Sequence, residues 1–289
     1  MKNFLVFTNE HKDPGLTVSN RICDFLRQRG ANVTLKVLQS DWKKCNISAT
    51  EENEYNKGQT DCLLVLGGDG TVLKAARDMM DVNIPLIGVN LGSLGYMTEI
   101  ETDTLEASLT KLLKDEYELE QRMMLEGCVT FRDGSTSGGH CLNDIVISRN
   151  GSLQIMKFNI MVNGRFLNEY SGDGVIVTTP TGSTGYNLSA GGPIVEPAAK
   201  MIMLTPICPH TLNQRSIILS PEDVVEIDIP EGKEGQMQHM EVTFDGNQKI
   251  QVTTGDRIRV AQSDKVTEFV KINQVSFLDV LHRKLSEKA

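Results

Sequence analysis

The first third of the chain alternates short apolar runs with segments whose apolar residues recur at helical spacing. Strand-length apolar runs occur at residues 4–8, 33–38, 62–66 and 84–89. Helical spacing predicts helices at residues 18–26, 71–80 and 105–113. Because runs that are apolar throughout are typical of buried parallel strands, this order predicts a doubly wound parallel sheet. The polar segment 40–60 predicts a loop.

Beyond about residue 120 the segments become short, β-branched and alternating. They lie at residues 128–132, 143–149, 157–162, 174–179, 216–219, 224–229, 241–244, 250–254 and 257–261. Turn dipeptides separate several of them, at Asp133-Gly134, Asn163-Gly164 and Asp245-Gly246. This texture predicts an all-β domain, either a sandwich or a layered sheet.

The two textures predict a division of the chain into an α/β domain at 1–118 and a β-rich domain at 119–270. The remaining residues, 271–289, carry apolar side chains at helical spacing. A lone helix of this length is marginal in water, so we expect it to dock back on the first domain.

Composition narrows the possible partners. The chain has 289 residues and a formal net charge of −9. We therefore expect no nucleic-acid partner, and an anionic ligand must be bound by backbone amides, helix N-termini, a few cations or a metal. No apolar run is long enough to cross a bilayer, and the start does not resemble a signal peptide, so we expect a cytoplasmic protein without a membrane partner. The six cysteines form no C-x-x-C pair, which predicts neither a zinc site nor a disulfide framework.

The most informative motif is Gly67-Gly68-Asp69-Gly70-Thr71, placed where a predicted buried strand meets a predicted helix. In open α/β sheets ligands bind at such points. The glycines let the backbone approach a ligand closely, and the amides suit phosphate oxygens. An aspartate there could hold a metal or accept a hydroxyl proton. The alternative is a tight turn that uses Asp-Gly for its geometry alone. The motif is neither a G-x-G-x-x-G fingerprint nor a Walker A loop.

Two further segments have the chemistry of a nucleoside site. Residues 171–193 follow a predicted strand and are dense in hydroxyls and glycines, with one aromatic face at Tyr186, which suits a base and a ribose. An ordinary surface loop is the alternative. Asn143-Asp144 could bind an adenine edge and ribose hydroxyls, although such a pair is more often a turn or strand-edge pair.

Together these three elements resemble the NAD kinase family, the ATP-dependent 2′-kinases of NAD. The resemblance implies a Rossmann-like N-terminal α/β domain, a C-terminal β-domain, a homodimer or homotetramer, and NAD and ATP as ligands, with Mg²⁺ accompanying ATP. It implies that Asp69 is the general base or orienting group for the 2′-hydroxyl, and no residue is expected to be a metal ligand. Phosphate contacts are expected at Gly67, Gly68 and Thr71. Substrate contacts are expected at Gly70, Lys74, Tyr96, Asn143, Asp144, Asp173, Thr181, Thr184, Gly185, Tyr186, Asn187, Leu188, Ser189 and Asn247.

Three positions depart from the pattern of that family. Asp144 is one methylene shorter than the usual glutamate, Ser171 stands where a basic residue is common, and Gly185 replaces a usual alanine. The shorter carboxylate could shift a ribose contact, and the missing cation removes local attraction for phosphate.

Three other functions are compatible with parts of the sequence. A lipid kinase would share the glycine loop and Asp69, but it would need an apolar acceptor groove or a basic membrane-facing patch. A non-catalytic NAD(H) sensor would keep the 173–189 segment without needing Asp69. A dehydrogenase is disfavoured by the absence of G-x-G-x-x-G.

Overall fold

The structure is a computed structural model that describes residues 1–38, 59–92, 95–151, 155–210, 215–273 and 275–286. The chain forms two units. Unit 1 contains Met1–Arg122 and Val266–Ala289, and unit 2 contains Met123–Lys265. The predicted loop at 40–60 lies almost entirely outside the described residues.

Unit 1 is built on a parallel sheet. Its strands are β1 (Asn3–Asn9), β2 (Asn32–Leu38), β3 (Cys62–Gly67), β4 (Leu86–Asn90) and β5 (Thr98–Glu101), in the spatial order β2-β1-β3-β4-β5. Its helices are α1 (Thr17–Arg27), α2 (Asp69–Asp78), α3 (Leu105–Leu113) and α5 (Phe277–Ser286), with a one-turn 3₁₀ helix at Pro14–Leu16. The predicted parallel α/β domain is confirmed.

The core of unit 1 explains why the apolar runs are continuous. All six residues of β3 are buried, as expected for a central strand that is covered on both faces. Ile22 and Leu26 of α1 and Leu105 and Leu109 of α3 belong to the same core cluster. Fully burying an aliphatic side chain of this kind stabilises the fold by roughly 1.5–3 kcal/mol, so these faces fix both helices on the sheet.

Unit 2 contains the antiparallel strands, and the chain changes units within the two longest strands, β6 and β17. The strands are β6 (Glu118–Thr130), β7 (Thr136–Cys141), β8 (Asp144–Arg149), β9 (Met156–Val162), β10 (Arg165–Gly172), β11 (Gly174–Thr178), β12 (Ile202–Ile207), β13 (Ile217–Leu219), β14 (Val225–Asp228), β15 (His239–Phe244), β16 (Gln248–Thr253) and β17 (Arg257–Lys271). Between β11 and β12 lie a 3₁₀ helix at Thr181–Thr184 and the one-turn helix α4 (Tyr186–Ser189), and a second 3₁₀ turn lies at Lys233–Gly235.

These strands form two layers over one apolar core. One layer runs β13-β12-β11-β8-β15-β16, and the other contains β10-β9-β14-β17 with β6 and β7. Buried side chains from both layers, including Ile147, Phe158, Val177 and Phe244, belong to one core cluster. The predicted β-sandwich is therefore confirmed.

The three turn dipeptides lie between strands, as predicted, although two of them lead into β7 and β10, which were not predicted. They connect β6 to β7, β9 to β10 and β15 to β16. Asn163 and Gly164 have φ values of 52° and 72°, and Asp245 and Gly246 have 48° and 68°. Two successive positive φ values are typical of the tight hairpin turns that Asn-Gly and Asp-Gly favour.

Four strands have no counterpart in the sequence prediction: β5, β7, β10 and β12. The prediction also placed only residues 128–132 in the strand that is β6, and only 257–261 in β17, whereas both are much longer. Helix α2 begins at Asp69, two residues before its predicted start, which puts the motif aspartate in the first helical turn. None of the helices that the structure describes is long and apolar enough to span a membrane.

Candidate active site

The glycine motif lies at the carboxyl end of β3, which is flanked by β1 and β4 in the parallel sheet. β3 ends at Gly67, and α2 begins at Asp69. Gly67 has φ of 153°, and a Cβ there would stand 2.8 Å from the Cβ of Thr71. Only glycine fits this position, because both the backbone conformation and the nearby Thr71 side chain exclude a larger residue.

Gly68 and Gly70 have a different reason to be glycine. Gly68 has φ of −105°, and Gly70 is not among the residues with positive φ. A Cβ added at either position would meet no atom within 4 Å. Neither strain nor packing within the protein requires glycine here, so the two residues leave the backbone open at the start of a helix, where amides attract anions.

The Asp69 carboxylate is held by two backbone amides. Oδ2 accepts a hydrogen bond from the amide of Tyr96 at 2.9 Å, and Oδ1 accepts one from the amide of Met97 at 2.9 Å. An ionised carboxylate has about four acceptor positions, so each oxygen can still accept a hydrogen bond from a ligand. The side chain is therefore oriented by the protein without being saturated.

Gly95 helps to place this carboxylate, a role that the sequence motifs do not indicate. A Cβ at Gly95 would overlap Asp69 Oδ1 and stand 2.9 Å from Asp69 Cγ and from Thr98 Oγ1. Gly95 thus lets the 95–97 backbone approach Asp69 closely enough to donate its amides. The only signal in the sequence is a second glycine-containing segment, Gly92 to Tyr96, which points to no partner on its own.

Tyr96 connects the Asp69 site to the C-terminal helix. Its ring centroid lies 6.0 Å from that of Phe277, and Lys284 Nζ lies 4.7 Å from the Tyr96 ring centroid. Burial and, to a smaller extent, the Asp69 charge raise the pKa of the Tyr96 hydroxyl, which favours its neutral form. An aromatic ring and a cation above it form an ordinary cation–π contact.

Lys74, the predicted basic ligand in α2, is buried and paired within the helix. Its ammonium lies 2.9 Å from Asp78 Oδ2, and Arg77 lies 3.2 Å from the other oxygen of the same carboxylate. Asp78 therefore neutralises much of the positive charge on this face of α2. Contact between Lys74 and a phosphate stays a prediction.

In unit 2, the Asn143-Asp144 pair lies where β8 begins, and its backbone is fixed from both sides. The Leu142 and Asn143 carbonyls accept hydrogen bonds from Thr179 Oγ1 at 2.6 Å and from the Thr179 amide at 2.9 Å. The Leu142 and Asn143 amides donate to the carboxylate of Asp245, at 2.9 and 2.8 Å. Only the side chains of the pair remain to meet a ligand.

Those two side chains converge on Gly185, just before α4. A Cβ at Gly185 would stand 3.4 Å from Asn143 Nδ2 and 3.8 Å from Asp144 Oδ2. The buried Oδ1 of Asn143 has no hydrogen-bond partner in the described part of the chain. Burial, and then the neighbouring Asp245 charge, raise the pKa of Asp144 to about 7. The structure thus brings together three of the predicted adenosine contacts.

The segment after β11 is folded rather than an open loop, and Asn187 holds it. Its Nδ2 donates to the carbonyls of Ser183 and Pro193, at 3.2 and 3.0 Å, and its Oδ1 accepts from Thr205 Oγ1 at 2.7 Å. The residue is fully buried. A structural role is therefore plain for Asn187, and its predicted contact with substrate stays a prediction.

The neighbours of Asn187 on α4 are open to solvent. Tyr186, Leu188 and Ser189 are exposed, with 46% of Tyr186 accessible. Burial, followed by the charges of Cys208, Asp173 and Asp144, raises the pKa of the Tyr186 hydroxyl. Those charges place this exposed ring in the same neighbourhood as the Asn143-Asp144 pair.

The remaining predicted contacts lie on other elements of unit 2. Asp173 Oδ1 lies 3.2 Å from Arg149 Nε, so a cation from β8 stands beside this carboxylate. Asn247 follows the β15–β16 turn and donates from Nδ2 to the Asp245 carbonyl at 3.2 Å. Thr181 is buried and Thr184 partly buried at the two ends of the 3₁₀ turn.

Within the ranges that the structure describes, no group of three or more His, Cys, Asp or Glu side chains could hold a metal ion. Mg²⁺ in nucleotide sites commonly has only one or two protein carboxylates, with phosphates and waters completing its shell.

Both units match known domains over most of their length. Residues 4–117 match the ATP-NAD kinase N-terminal domain, and residues 142–272 match the ATP-NAD kinase C-terminal domain. The chain is 44% identical to an NAD kinase of Lachnospira eligens, with 99% of this chain and all of that protein covered, and 42% identical to one of Lachnoclostridium phytofermentans, with both chains covered in full.

Solved structures give the same result for the fold. The crystal structure of yeast NADH kinase in complex with NADH has a TM-score of 0.86 at 24% identity, covering 99% of this chain and 88% of that one. An NAD kinase from Archaeoglobus fulgidus in complex with ATP has a TM-score of 0.77 at 25% identity, with 99% of both chains covered. With 44% identity to a relative over its full length and both domain matches, the chain belongs to the NAD kinase family.

Proposed function

We propose that this protein transfers the γ-phosphoryl group of ATP to the 2′-hydroxyl of the adenosine ribose of NAD, producing NADP and ADP. Family membership supports the reaction, and the observation that carries the assignment of roles is the geometry of Asp69. Its carboxylate is fixed by the Tyr96 and Met97 amides and stands in the first turn of a helix whose glycines leave the backbone open.

Asp69 is proposed to accept the proton of the 2′-hydroxyl as the oxygen bonds to phosphorus. The two amide hydrogen bonds hold the carboxylate in place, and a loose transition state allows the proton transfer to occur late. General-base assistance typically contributes about 10²–10⁴-fold in rate. The remaining acceleration comes from positioning and charge neutralisation.

The open amides of the glycine motif are proposed to bind phosphate oxygens. This device is needed because the protein carries a net charge of −9 and the nearest motif cations, Lys74 and Arg77, are paired with Asp78. Mg²⁺, entering with ATP, would neutralise further charge on the phosphates.

The unit 2 residues are proposed to hold the adenosine part of NAD. Asn143 offers an unpartnered buried oxygen and an amide, Asp144 a carboxylate, and Tyr186 an exposed aromatic face. Amides bind adenine edges, carboxylates bind ribose hydroxyls, and aromatic rings stack on bases. The resemblance also implies a homodimer or homotetramer and a cytoplasmic location, and both stay predictions. Light scattering of the purified protein tests the oligomeric state.

The decisive experiment mixes the purified protein with NAD and Mg-ATP and then adds a strictly NADP-dependent dehydrogenase with its substrate. Appearance of reduced cofactor that requires both NAD and ATP supports the proposal. A protein that binds NAD without forming NADP would instead be a sensor, and phosphorylation of diacylglycerol or sphingosine would make it a lipid kinase.

A further inference from the structure

Asp245 does more than its hairpin turn requires. The turn between β15 and β16 needs positive φ at two residues, which Asn-Gly would provide equally well, with the first side chain in solvent. Asp245 is instead only 7% exposed, and its carboxylate reaches a segment about a hundred positions earlier in the sequence.

That carboxylate binds three successive amides. Oδ2 accepts from the amide of Leu142 at 2.9 Å, and Oδ1 accepts from the amides of Asn143 and Asp144 at 2.8 and 3.2 Å. The Asp245 amide donates in return to the Asp144 carbonyl at 3.0 Å. Leaving a buried amide unpaired costs about 1–3 kcal/mol, so this side chain controls the course of the 142–144 backbone.

The same backbone carries the two side chains that converge on Gly185. With the carbonyls of 142 and 143 fixed by Thr179 and all three amides fixed by Asp245, the backbone holds the Cα–Cβ bonds of Asn143 and Asp144 in fixed directions. Resting on the proposed function, we infer that Asp245 is a positioning residue for NAD, which aims the Asn143 amide and the Asp144 carboxylate at the adenosine.

The charge of Asp245 adds a second effect on the same site. Its proximity, after burial, raises the pKa of Asp144 to about 7. Among the described residues, the Cys141 thiol and the Tyr186 hydroxyl also interact with Asp144, and their pKa values are raised as well, so both are neutral near pH 7. Asp144 therefore loses its charge as the pH falls through 7, and the Asp245 charge contributes to this shift after burial.

The test is Asp245→Asn, which tolerates the positive φ but lacks the charge and one acceptor. At pH 8 we expect the KM for NAD to rise about 10-fold, the cost of an unpaired buried amide, while kcat stays within about 3-fold. In the wild type the KM for NAD should rise about 10-fold from pH 8 to pH 6, as Asp144 becomes protonated. In Asp245→Asn this rise should be smaller, because Asp144 ionises at a lower pH.

Asp133→Asn is the matched control, since it makes the same change in an Asp-Gly turn whose carboxylate bonds only to Ser135 of its own hairpin. It should leave KM and its pH dependence unchanged. If Asp245→Asn shows only a lower melting temperature, with wild-type KM and pH profile, the residue is merely structural and the inference is overturned. A fall in kcat at unchanged KM overturns it as well.

Two further measurements test the inference if Asp245→Asn does not fold or if the wild type forms no NADP. If Asp245→Asn does not fold, Asp144→Asn should abolish the rise in KM between pH 8 and pH 6, and persistence of that rise counts against the inference. If the wild type forms no NADP, the proposed function fails, and calorimetric titration with NAD replaces KM. A weaker, less pH-dependent NAD affinity in Asp245→Asn would then still support the positioning role, and an unchanged affinity would refute it.

Discussion

At the scale of single residues, the proposed function uses two carboxyl groups that lie in different environments. Asp69 accepts two backbone amides, whereas Asp144 is buried beside another carboxylate. The first arrangement fixes the direction of the Asp69 carboxylate. The second disfavours the ionised form of Asp144, which therefore changes its charge near pH 7.

Replacing Asp69 tests the chemical role directly. Asp69→Asn should lower kcat by about 10²–10⁴-fold, because the amide cannot accept the hydroxyl proton, while the dissociation constant for NAD changes by only a few fold. Steady-state kinetics and calorimetric titration with NAD measure the two quantities. Asp103→Asn, an exposed position in the same unit, serves as the control. Near-wild-type turnover in Asp69→Asn would show that the proton goes elsewhere.

The ionised form of the Asp144 carboxyl should lower the free energy of unfolding at high pH. Because its pKa is raised to about 7 from an ordinary value near 3.9, its stabilising contribution is present below about pH 4 and is lost as the pH rises through 7. Asp144→Asn should therefore increase the free energy of unfolding at pH 8, by roughly 1–3 kcal/mol, and much less at pH 5. Chemical denaturation at both pH values measures this. Exposed Asp264→Asn should show no such difference, and an equal effect of Asp144→Asn at the two pH values would argue against a buried, titrating carboxyl.

At the scale of elements, the β3–α2 junction is positioned by the close approach of the 95–97 backbone. Gly95→Ala should lower kcat by about 10–100-fold, because the new Cβ would overlap Asp69 Oδ1 and displace a group that must be placed within a fraction of an ångström. Gly92→Ala is the matched control: a Cβ there meets nothing within 4 Å. Equal kinetics in the two variants would mean that the position of Asp69 does not depend on this approach.

Sequence patterns could predict those elements whose structure follows from their own pattern of apolar and polar side chains. β3 and α1 follow directly from apolar runs and helical spacing. β7 does not, since it contains Gly138, whose Cβ would stand 3.2 Å from the Cα of Cys128 and so is excluded by the partner strand. β12 contains Pro206, which argues against a strand, but among the described residues β12 pairs at this position only with β11. A neighbouring strand thus explains Gly138, and the lack of a second neighbour among the described strands explains Pro206.

The candidate site shows the same division. Asp69, Asn143 and Asp144 could be predicted as candidates from the sequence, because each is a residue type that suits the proposed chemistry and lies within a short motif. Gly95 and Asp245 could not, because each acts on a partner distant in the sequence, Asp69 in one case and the 142–144 backbone in the other. Asp-Gly explains the β15–β16 turn so well that the sequence offers no reason to look for a second role.

At the scale of the whole molecule, the last residues of the chain belong to the same unit as the first residues. Unit 2 is one continuous stretch, whereas unit 1 combines the first 122 residues with the last 24, so that α5 belongs with the glycine motif. Phe277 and Lys284 of α5 contact the Tyr96 ring, and the amide of Tyr96 holds Asp69. The C-terminal helix is therefore expected to support the phosphoryl-transfer site.

Phe277→Ala tests that connection. Loss of the ring contact should loosen the 95–97 segment, so that hydrogen exchange of the Tyr96 and Met97 amides accelerates by roughly 10-fold and kcat falls, while exchange at Leu142–Asp144 stays unchanged. Leu278→Ala is the control, because Leu278 lies next to Phe277 on the same helix but is 67% exposed. Faster exchange in both segments would indicate general destabilisation. Unchanged exchange at Tyr96 with normal kcat would show that the Phe277 ring is dispensable for holding Asp69.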